Sequence, residues 1–456
     1  RRGVTAALAP SARAGLVEVV GRDHVLTEPD RVAGHVVDWT GRFRGATPAV
    51  VRPRTHDEVA SVVAVARAHQ LAIVPQGGNT GLVGGSVPLA GEVVLSTARL
   101  AGVLAVDAAS GHLTAGAGTP LARVQDAARA AGWAYGVDLA ARDSATIGGN
   151  VATNAGGLRV VAHGPTRAQL VGVAAVLGTG ATVDDLGRLE KDVTGYDLSG
   201  LLCGSEGTLG VITAVRLRLV PARPERVVVA LGFGSMAGAV EAVGRLRRAL
   251  PDLEAAEAYG AAEAELVAGH LGSVPVVDAP VTVVVEVAAS TDPTDGVAEA
   301  VGALDGVLEV HVAADGPRRA ALWRPRETIT EAIATVGPHH KLDVSLPADE
   351  LGDFAVEVER RVGEAVPGAR TWIFGHLGDG NLHVNVTGVE PDDATVDDVV
   401  LGLVLERRGS ISAEHGIGTA KRAWLGRQRG DDALATMRAI RAACDPDGIL
   451  NPAVLL

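Results

Sequence analysis

The chain has 456 residues, 47% hydrophobic and 21% charged, a globular composition too long for one ordinary core, so two or more domains are expected. A formal net charge of −13 and a pI near 5.5 exclude a partner held mainly through a nucleic-acid phosphate backbone, and they leave any anionic substrate dependent on a local basic cluster. The only cysteines, Cys203 and Cys444, form no C-x-x-C pair, which supports neither a disulfide framework nor a cysteine-ligated iron–sulfur cluster.

Glycine, proline or charge interrupts every apolar run before about 18 residues, so no spanning helix is expected. The opening RRGVTAALAPSARAGLVEVVG starts on two arginines and has no apolar signal-peptide region. It reads as a trimmed cytoplasmic N-terminus, with a processed organelle protein as the alternative. Lysine occurs only at 191, 341 and 421, and arginine supplies the other 38 of the 41 basic residues. A lysine retained in so arginine-rich a chain marks a place where a compact ammonium is needed, which singles out Lys341.

In chain order, the apolar run Ala49 to Pro53 precedes a helix in THDEVASVVAVARAHQ, opened by a Thr55/Glu58 capping box and patterned by Val59, Val62, Val63 and Ala66. Leu71 to Val74 follows as a strand and completes a βαβ unit. At its end PQGGNTGLVGGS places Gly77, Gly78, Gly81, Gly84 and Gly85 where backbone N–H groups could cradle a pyrophosphate. No Gly-Lys-Ser/Thr follows, and no convincing G-x-G-x-x-G occurs, so neither a P-loop nor a nicotinamide fingerprint is present. TPLARVQDAARAAG (119–132) is expected to be a helix capped by Thr119, begun by Pro120 and stopped by Gly132. Two further small-residue loops, SATIGGNVATNAGG (144–157) and GSEGTLG (204–210), suggest one extended cofactor groove.

Pro221 to Pro224 reads as a boundary. Beyond it, alternating apolar stretches such as 281–287 and alanine-rich helices such as 235–250 suggest an α+β cap. WRPRETITEAI puts Arg326 and Thr330 on one helical face, and Lys341 follows in a strand, HKLDVSLP. Together these could form an anion pocket. The plainer alternative is Arg326 paired with Glu327 or Glu331 and Lys341 in solvent. In GHLGDGNLHVN the Asp379-Gly380 pair signals a hairpin turn, so that His376 faces His383 and Phe374 faces Asn385. Two imidazoles on one face could grip one ion, and SAEHGIG offers Glu414 as a third ligand beside His415, a catalytic rather than structural donor set. A surface hairpin with two partly exposed histidines is the alternative.

The loops PQGGNTGLVGG, ATIGGNVATNAGG, GYDL (195–198) and GSEGTLGVIT resemble the FAD-binding domain of the vanillyl-alcohol-oxidase flavoprotein superfamily. The later series RExIT, KxDxSLP, GHLGDGNLHxN, SAEHGIG and DPDGILNP resembles the FAD-linked D-2-hydroxyacid dehydrogenases. The resemblance implies an α+β fold: a PCMH-type FAD-binding domain of two α/β subdomains over 1–220, an α+β cap with an antiparallel sheet and metal hairpin over 221–405, and a C-terminal helical segment, 406–456, completing the active site. It implies that FAD is held by Pro75, Gln76, Gly77, Gly78, Asn79, Thr80, Gly81, Leu82 and Ser86, then by Ser144, Thr146, Ile147, Gly148, Gly149, Thr153, Asn154, Gly156 and Gly157, and then by Glu206, Gly210, Val211 and Ile212. Relatives with covalent flavin often carry a histidine in the first loop. Asn79 in that loop implies dissociable FAD.

By the same resemblance His376, His383 and Glu414 bind Zn2+, or Fe2+ or Mn2+ in its place, His415 is the general base, and Arg326, Thr330, Lys341 and Asn385 hold substrate. Lys341 favours a dicarboxylate such as D-2-hydroxyglutarate over D-lactate or glycolate. Pro325 departs from the pattern and could start its helix late. The resemblance further implies an electron-transfer flavoprotein or a quinone as electron acceptor, with direct oxidase chemistry and a homodimer left open. The rivals are a non-redox flavoprotein like alkylglycerone-phosphate synthase and a flavin-free metal hydrolase.

Overall fold

The computed structural model describes residues 7–390 and 393–456, and the first six residues of the opening stretch lie outside it. The chain divides into two compact units. One comprises residues 1–157, 165–221 and 414–456, and the other residues 158–164 and 222–413.

The first unit carries two larger sheets and a two-stranded ribbon that pairs Val220–Pro221 with Trp133–Ala134. Strands β1 (Val25–Leu26), β2 (Val50–Val51), β3 (Ile73–Gln76) and β4 (Val93–Ser96) lie in the order β1-β2-β4-β3, so the crossover helix His56–Ala68 links two strands that flank β4 in parallel. That helix begins where Thr55 Oγ1 accepts the Glu58 N–H at 3.1 Å, while the Glu58 carboxylate takes the Arg54 N–H at 2.6 Å. Val59, Val62, Val63 and Ala66 are its buried face. Strands β5 (Val103–Asp107), β6 (His112–Gly116), β7 (Leu170–Leu177), β8 (Thr182–Asp184) and β9 (Gly210–Arg218) form an antiparallel sheet ordered β5-β6-β9-β7-β8. The C-terminus belongs to this unit: Leu450 bridges Ile73 in parallel, and Asp445 accepts the Ile449 and Leu450 N–H groups at 3.1 and 2.8 Å.

The second unit is built on a seven-stranded antiparallel sheet. Its strands are β10 (Glu225–Phe233), β11 (Leu253–Gly260), β12 (Val281–Ala289), β13 (Val307–Ala313), β14 (His339–Ser345), β15 (Arg370–His376) and β16 (Asn381–Thr387), in the order β13-β10-β12-β11-β15-β16-β14. Ala230, Val284, Trp372 and Phe374 lie in one core with Ile329 and Ile333 of the helix Gly316–Val336.

Two local expectations fail. Thr119 does not cap the helix Leu121–Ala130: its hydroxyl donates to the Gly116 and Gly102 carbonyls at 2.7 and 3.1 Å, and Pro120 is the capping residue. Pro325 does not open a helix late. It sits inside the 21-residue helix Gly316–Val336, which is capped by the Asp315 carboxylate on the Arg318 N–H at 3.0 Å.

Candidate flavin and metal sites

In the first unit the three small-residue loops meet. Gly78 leaves room for the second loop: a Cβ there would stand 2.0 Å from the Ser144 carbonyl oxygen. Asn79, at φ +54°, ties the loop to the segment 34–37, donating to the Gly34 and Val37 carbonyls at 3.1 and 2.8 Å, and accepts from Ser86 Oγ within the loop at 2.8 Å. Thr146 caps the helix Ile147–Thr153 through the Gly149 N–H at 3.4 Å, and Thr153 Oγ1 returns to the Gly149 carbonyl at 3.1 Å.

The third loop and the C-terminal stretch close on these. The Gly157 N–H donates to Glu414 Oε1 at 2.8 Å. The Glu206 backbone N–H donates to the Ala152 carbonyl at 2.8 Å, and its carboxylate accepts the Ile417 and Gly418 N–H groups at 2.9 and 2.7 Å. Burial raises the Glu206 pKa, against those two N–H donors. Asn451 then donates to the Gly85 and Glu206 carbonyls, both at 2.8 Å. The Glu206 side chain therefore fixes the stretch after His415, a positioning task that reading it as a flavin contact did not foresee.

In the second unit the hairpin β15–β16 forms, with a register two residues away from the expected one. His376 is opposite Asn381, and His383 is opposite Phe374, because the connection is the four residues 377–380, closed by the Gly380 N–H on the His376 carbonyl at 3.1 Å. A shift of two preserves the face. His376 and His383 are thus diagonal neighbours, with their Nε2 atoms 3.2 Å apart.

Each imidazole is backed by a carboxylate. His376 Nδ1 lies 2.5 Å from Glu257 Oε1, and His383 Nδ1 lies 3.5 Å from Asp343 Oδ1. Orienting carboxylates behind ring nitrogens are the usual second layer of a histidine metal site. Two nitrogens each about 2.0–2.1 Å from a common zinc ion, at a near-tetrahedral angle, stand roughly 3.3–3.4 Å apart, close to the separation here. Burial, then the His376 and Arg326 charges, overcome Asp343 and bring the His383 pKa down to about 4, so this imidazole is neutral and ligand-competent at pH 7. The residues fit a metal ion.

Arg326 is buried and paired with neither Glu327 nor Glu331. Its Nε and Nη2 donate to Glu257 Oε2 at 2.9 and 2.7 Å, and the guanidinium carbon lies 4.6 Å from the Phe374 ring centroid. Burial would raise the Glu257 pKa, but His376 and Arg326 together pull it down. Lys341 and Asn385 are direct cross-strand partners, as are Asp343 and His383. Lys341 is half-buried; burial first, then Arg326, bring its pKa down to about 8. Asn385 is 1% exposed, and among the described residues neither amide atom has a hydrogen-bond partner. An amide buried that way is suited to a ligand that supplies both missing bonds. Thr330 lies one turn from Arg326 on the same helix.

Sequence reasoning missed Glu257 and Asp343 as site residues. Asp343 shares a strand face with Lys341 two residues away, which period two would have revealed. Glu257 is one of two acids, with Glu254, in the otherwise apolar strand LEAAEAYG, and only the pairing of β11 with β15 sets it opposite His376.

Residues 222–455 match the family of FAD linked oxidases through its C-terminal domain, and residues 47–185 match a FAD binding domain. The chain belongs to the FAD-linked oxidase family. FAD is therefore its cofactor, and the protein is a FAD-dependent oxidoreductase of that family. It is 41% identical to the mitochondrial D-2-hydroxyglutarate dehydrogenase of Bos taurus, with 96% of this chain and 82% of the relative aligned. It is 39% identical to the D-2-hydroxyglutarate dehydrogenase of Xanthomonas citri pv. viticola, over 94% and 93% of the two chains. Among solved structures it shares the fold of p-cresol methylhydroxylase (TM-score 0.78, 17% identity, covering 97% and 96%) and of alkyldihydroxyacetonephosphate synthase (TM-score 0.76, 17% identity, covering 99% and 86%). These bear out the PCMH-type α+β fold class. No helix among the described residues is long and apolar enough to cross a membrane.

Proposed function

We propose that the enzyme oxidises a D-2-hydroxyacid, D-2-hydroxyglutarate foremost, to its 2-oxoacid. The observation that carries this reading is the pair of carboxylate-backed imidazoles with Nε2 atoms 3.2 Å apart, in the same sheet as Lys341 and the unbonded amide of Asn385. D-2-hydroxyglutarate offers a hydroxyl and a carboxylate for a metal and a second carboxylate for cations. The relatives' names point to the same substrate.

In this reading His376, His383 and Glu414 hold zinc. The first two are oriented by Glu257 and Asp343, and Glu414 follows directly on Ala413, whose N–H donates to Asp343 Oδ2 at 3.0 Å. Zinc supplies Lewis acidity at the substrate hydroxyl, and dissociable FAD supplies the hydride acceptor at its N5. His415 removes the hydroxyl proton as the Cα–H bond breaks, so that proton and hydride leave together and the alcohol becomes a ketone. Arg326, Thr330 and Lys341 bind the distal carboxylate, and Asn385 bonds to substrate oxygen. A substrate lacking that carboxylate would forgo its charge interaction with Lys341, which gives chain-length selection. Electrons leave to an electron-transfer flavoprotein or a quinone.

The test is His415→Ala in flavin- and zinc-replete enzyme. Turnover should fall about 100-fold or more while KM changes little, because general-base catalysis contributes about 10²–10⁴-fold. Near-normal turnover would remove His415 from the mechanism.

A further inference from the structure

The seven-stranded sheet ends on β13, which pairs only with β10. Among the described residues no backbone hydrogen bond from another segment covers its outer rim. Natural edges are usually blunted by lysine, proline or a covering loop. This one carries Leu308, Val310 and Val312, exposed by 62%, 44% and 52%. Val310 and Val312 stand opposite Leu231 and Val229 of β10, both buried, so an apolar sheet face runs out into solvent at its last strand. Between them Glu309 and His311 point to the other side, with His311 Nε2 2.6 Å from Glu309 Oε1, while Glu309 Oε2 accepts the Asp278 N–H at 2.8 Å. A bulge at Leu308 leaves residues 309–313 in regular register.

The segment Leu308-Glu309-Val310-His311-Val312 is complementary to itself when run antiparallel about Val310. Val310 then meets the copy's Val310, Leu308 meets Val312, and the acid Glu309 meets the base His311, the last two pairs occurring twice. We propose that β13 is a homodimer interface, a second copy of this chain adding its own β13 antiparallel across a two-fold axis at Val310. The two sheets become one continuous sheet. The open backbone rim gains a ladder, the apolar row gains cross-strand apolar neighbours, and the carboxylate–imidazole pairs match across the axis. The edge strand β5 also exposes Val103, Leu104 and Val106, but about its centre Asp107 would meet Val103, so it lacks this complementarity.

The experiment is sedimentation of the flavin-loaded full chain with four variants. Wild type and Leu104→Asp should both be dimers. Val310→Asp sets two carboxylates face to face on the axis and should raise the dimer dissociation constant by about 100-fold or more, with flavin content and circular dichroism retained. Val310→Cys should cross-link to its own copy under mild oxidation, because opposed antiparallel residues have Cα atoms about 4.5–5.5 Å apart, within disulfide reach. Val312→Cys, facing Leu308, should cross-link far less. A monomeric wild type, a dimer dissociated by Leu104→Asp but not by Val310→Asp, or equal cross-linking of the two cysteine variants would each overturn the proposal.

Discussion

Glu257→Gln separates a charge partner from a ligand-orienting group, because one buried carboxylate serves both His376 and Arg326. Glu257 is fully buried and lies 2.5 Å from His376 Nδ1 and 2.7 and 2.9 Å from two Arg326 nitrogens. The amide keeps an acceptor for one of these groups but removes the charge that neutralises a buried guanidinium. Breaking a buried ion pair from one side costs about 3–5 kcal/mol. In a unit of this size that lowers Tm by about 10 °C. Loss of the carboxylate behind a histidine ligand weakens metal binding about 10–100-fold. Calorimetry of the apo-protein reads the first effect, and competition for zinc against a fluorescent chelator reads the second. If Tm fell as stated while zinc affinity stayed within about twofold of wild type, Glu257 would serve Arg326 alone, and the account of how His376 is oriented would be refuted.

Three further outcomes are expected. Lys341 loses its proton near pH 8, so KM for D-2-hydroxyglutarate should climb above pH 8 by up to about tenfold per unit while KM for D-lactate stays flat; Lys341→Met should abolish that limb, and parallel profiles for the two substrates would remove Lys341 from the distal pocket. Burial raises the Glu263 pKa to about 7, well above the ordinary carboxylate range, despite the Ile373 and Gly260 N–H groups at 2.8 and 3.0 Å. Its folded-state pKa is the higher one, so its contribution is complete below about pH 4.5 and is lost as pH rises through about 7, a change of about 3 kcal/mol that denaturant titration should find and Glu263→Gln should flatten. Thr55→Ala removes the cap of the helix His56–Ala68 and should cost about 1 kcal/mol without altering turnover.

Local signals in the sequence were good guides where the structure is local. Thr55 and the apolar spacing after it define a helix that forms as read, and Ser235 and the run to Ala249 do the same. The hairpin between His376 and His383 was legible from Asp379-Gly380, but its register was not. An Asp-Gly pair signals a two-residue turn, whereas here Leu377 and Gly378 join the loop. The error left the pairing of faces intact because side chains alternate with period two. Thr119 looked like a cap because it precedes Pro120, yet its hydroxyl is taken by the Gly116 and Gly102 carbonyls.

What could not be read from the chain depends on distant partners. The acid behind His376 comes from β11, 119 residues earlier, and the acid that fixes the stretch after His415 comes from the third glycine loop, more than 200 residues away. Both are acids set in apolar or small-residue surroundings. That is the residue pattern to search for when a ligand is known and its orienting partner is not.

The central claim is D-2-hydroxyacid oxidation at a zinc–flavin site. The most direct measurement is anaerobic mixing of the flavin- and zinc-loaded enzyme with D-2-hydroxyglutarate, its L enantiomer and D-lactate, following flavin absorbance near 450 nm. The account predicts rapid bleaching by D-2-hydroxyglutarate, little by D-lactate, none by the L form, and loss of bleaching when zinc is chelated and its return when zinc is restored. Flavin that stays oxidised with all three substrates, or that bleaches equally well without zinc, would contradict it.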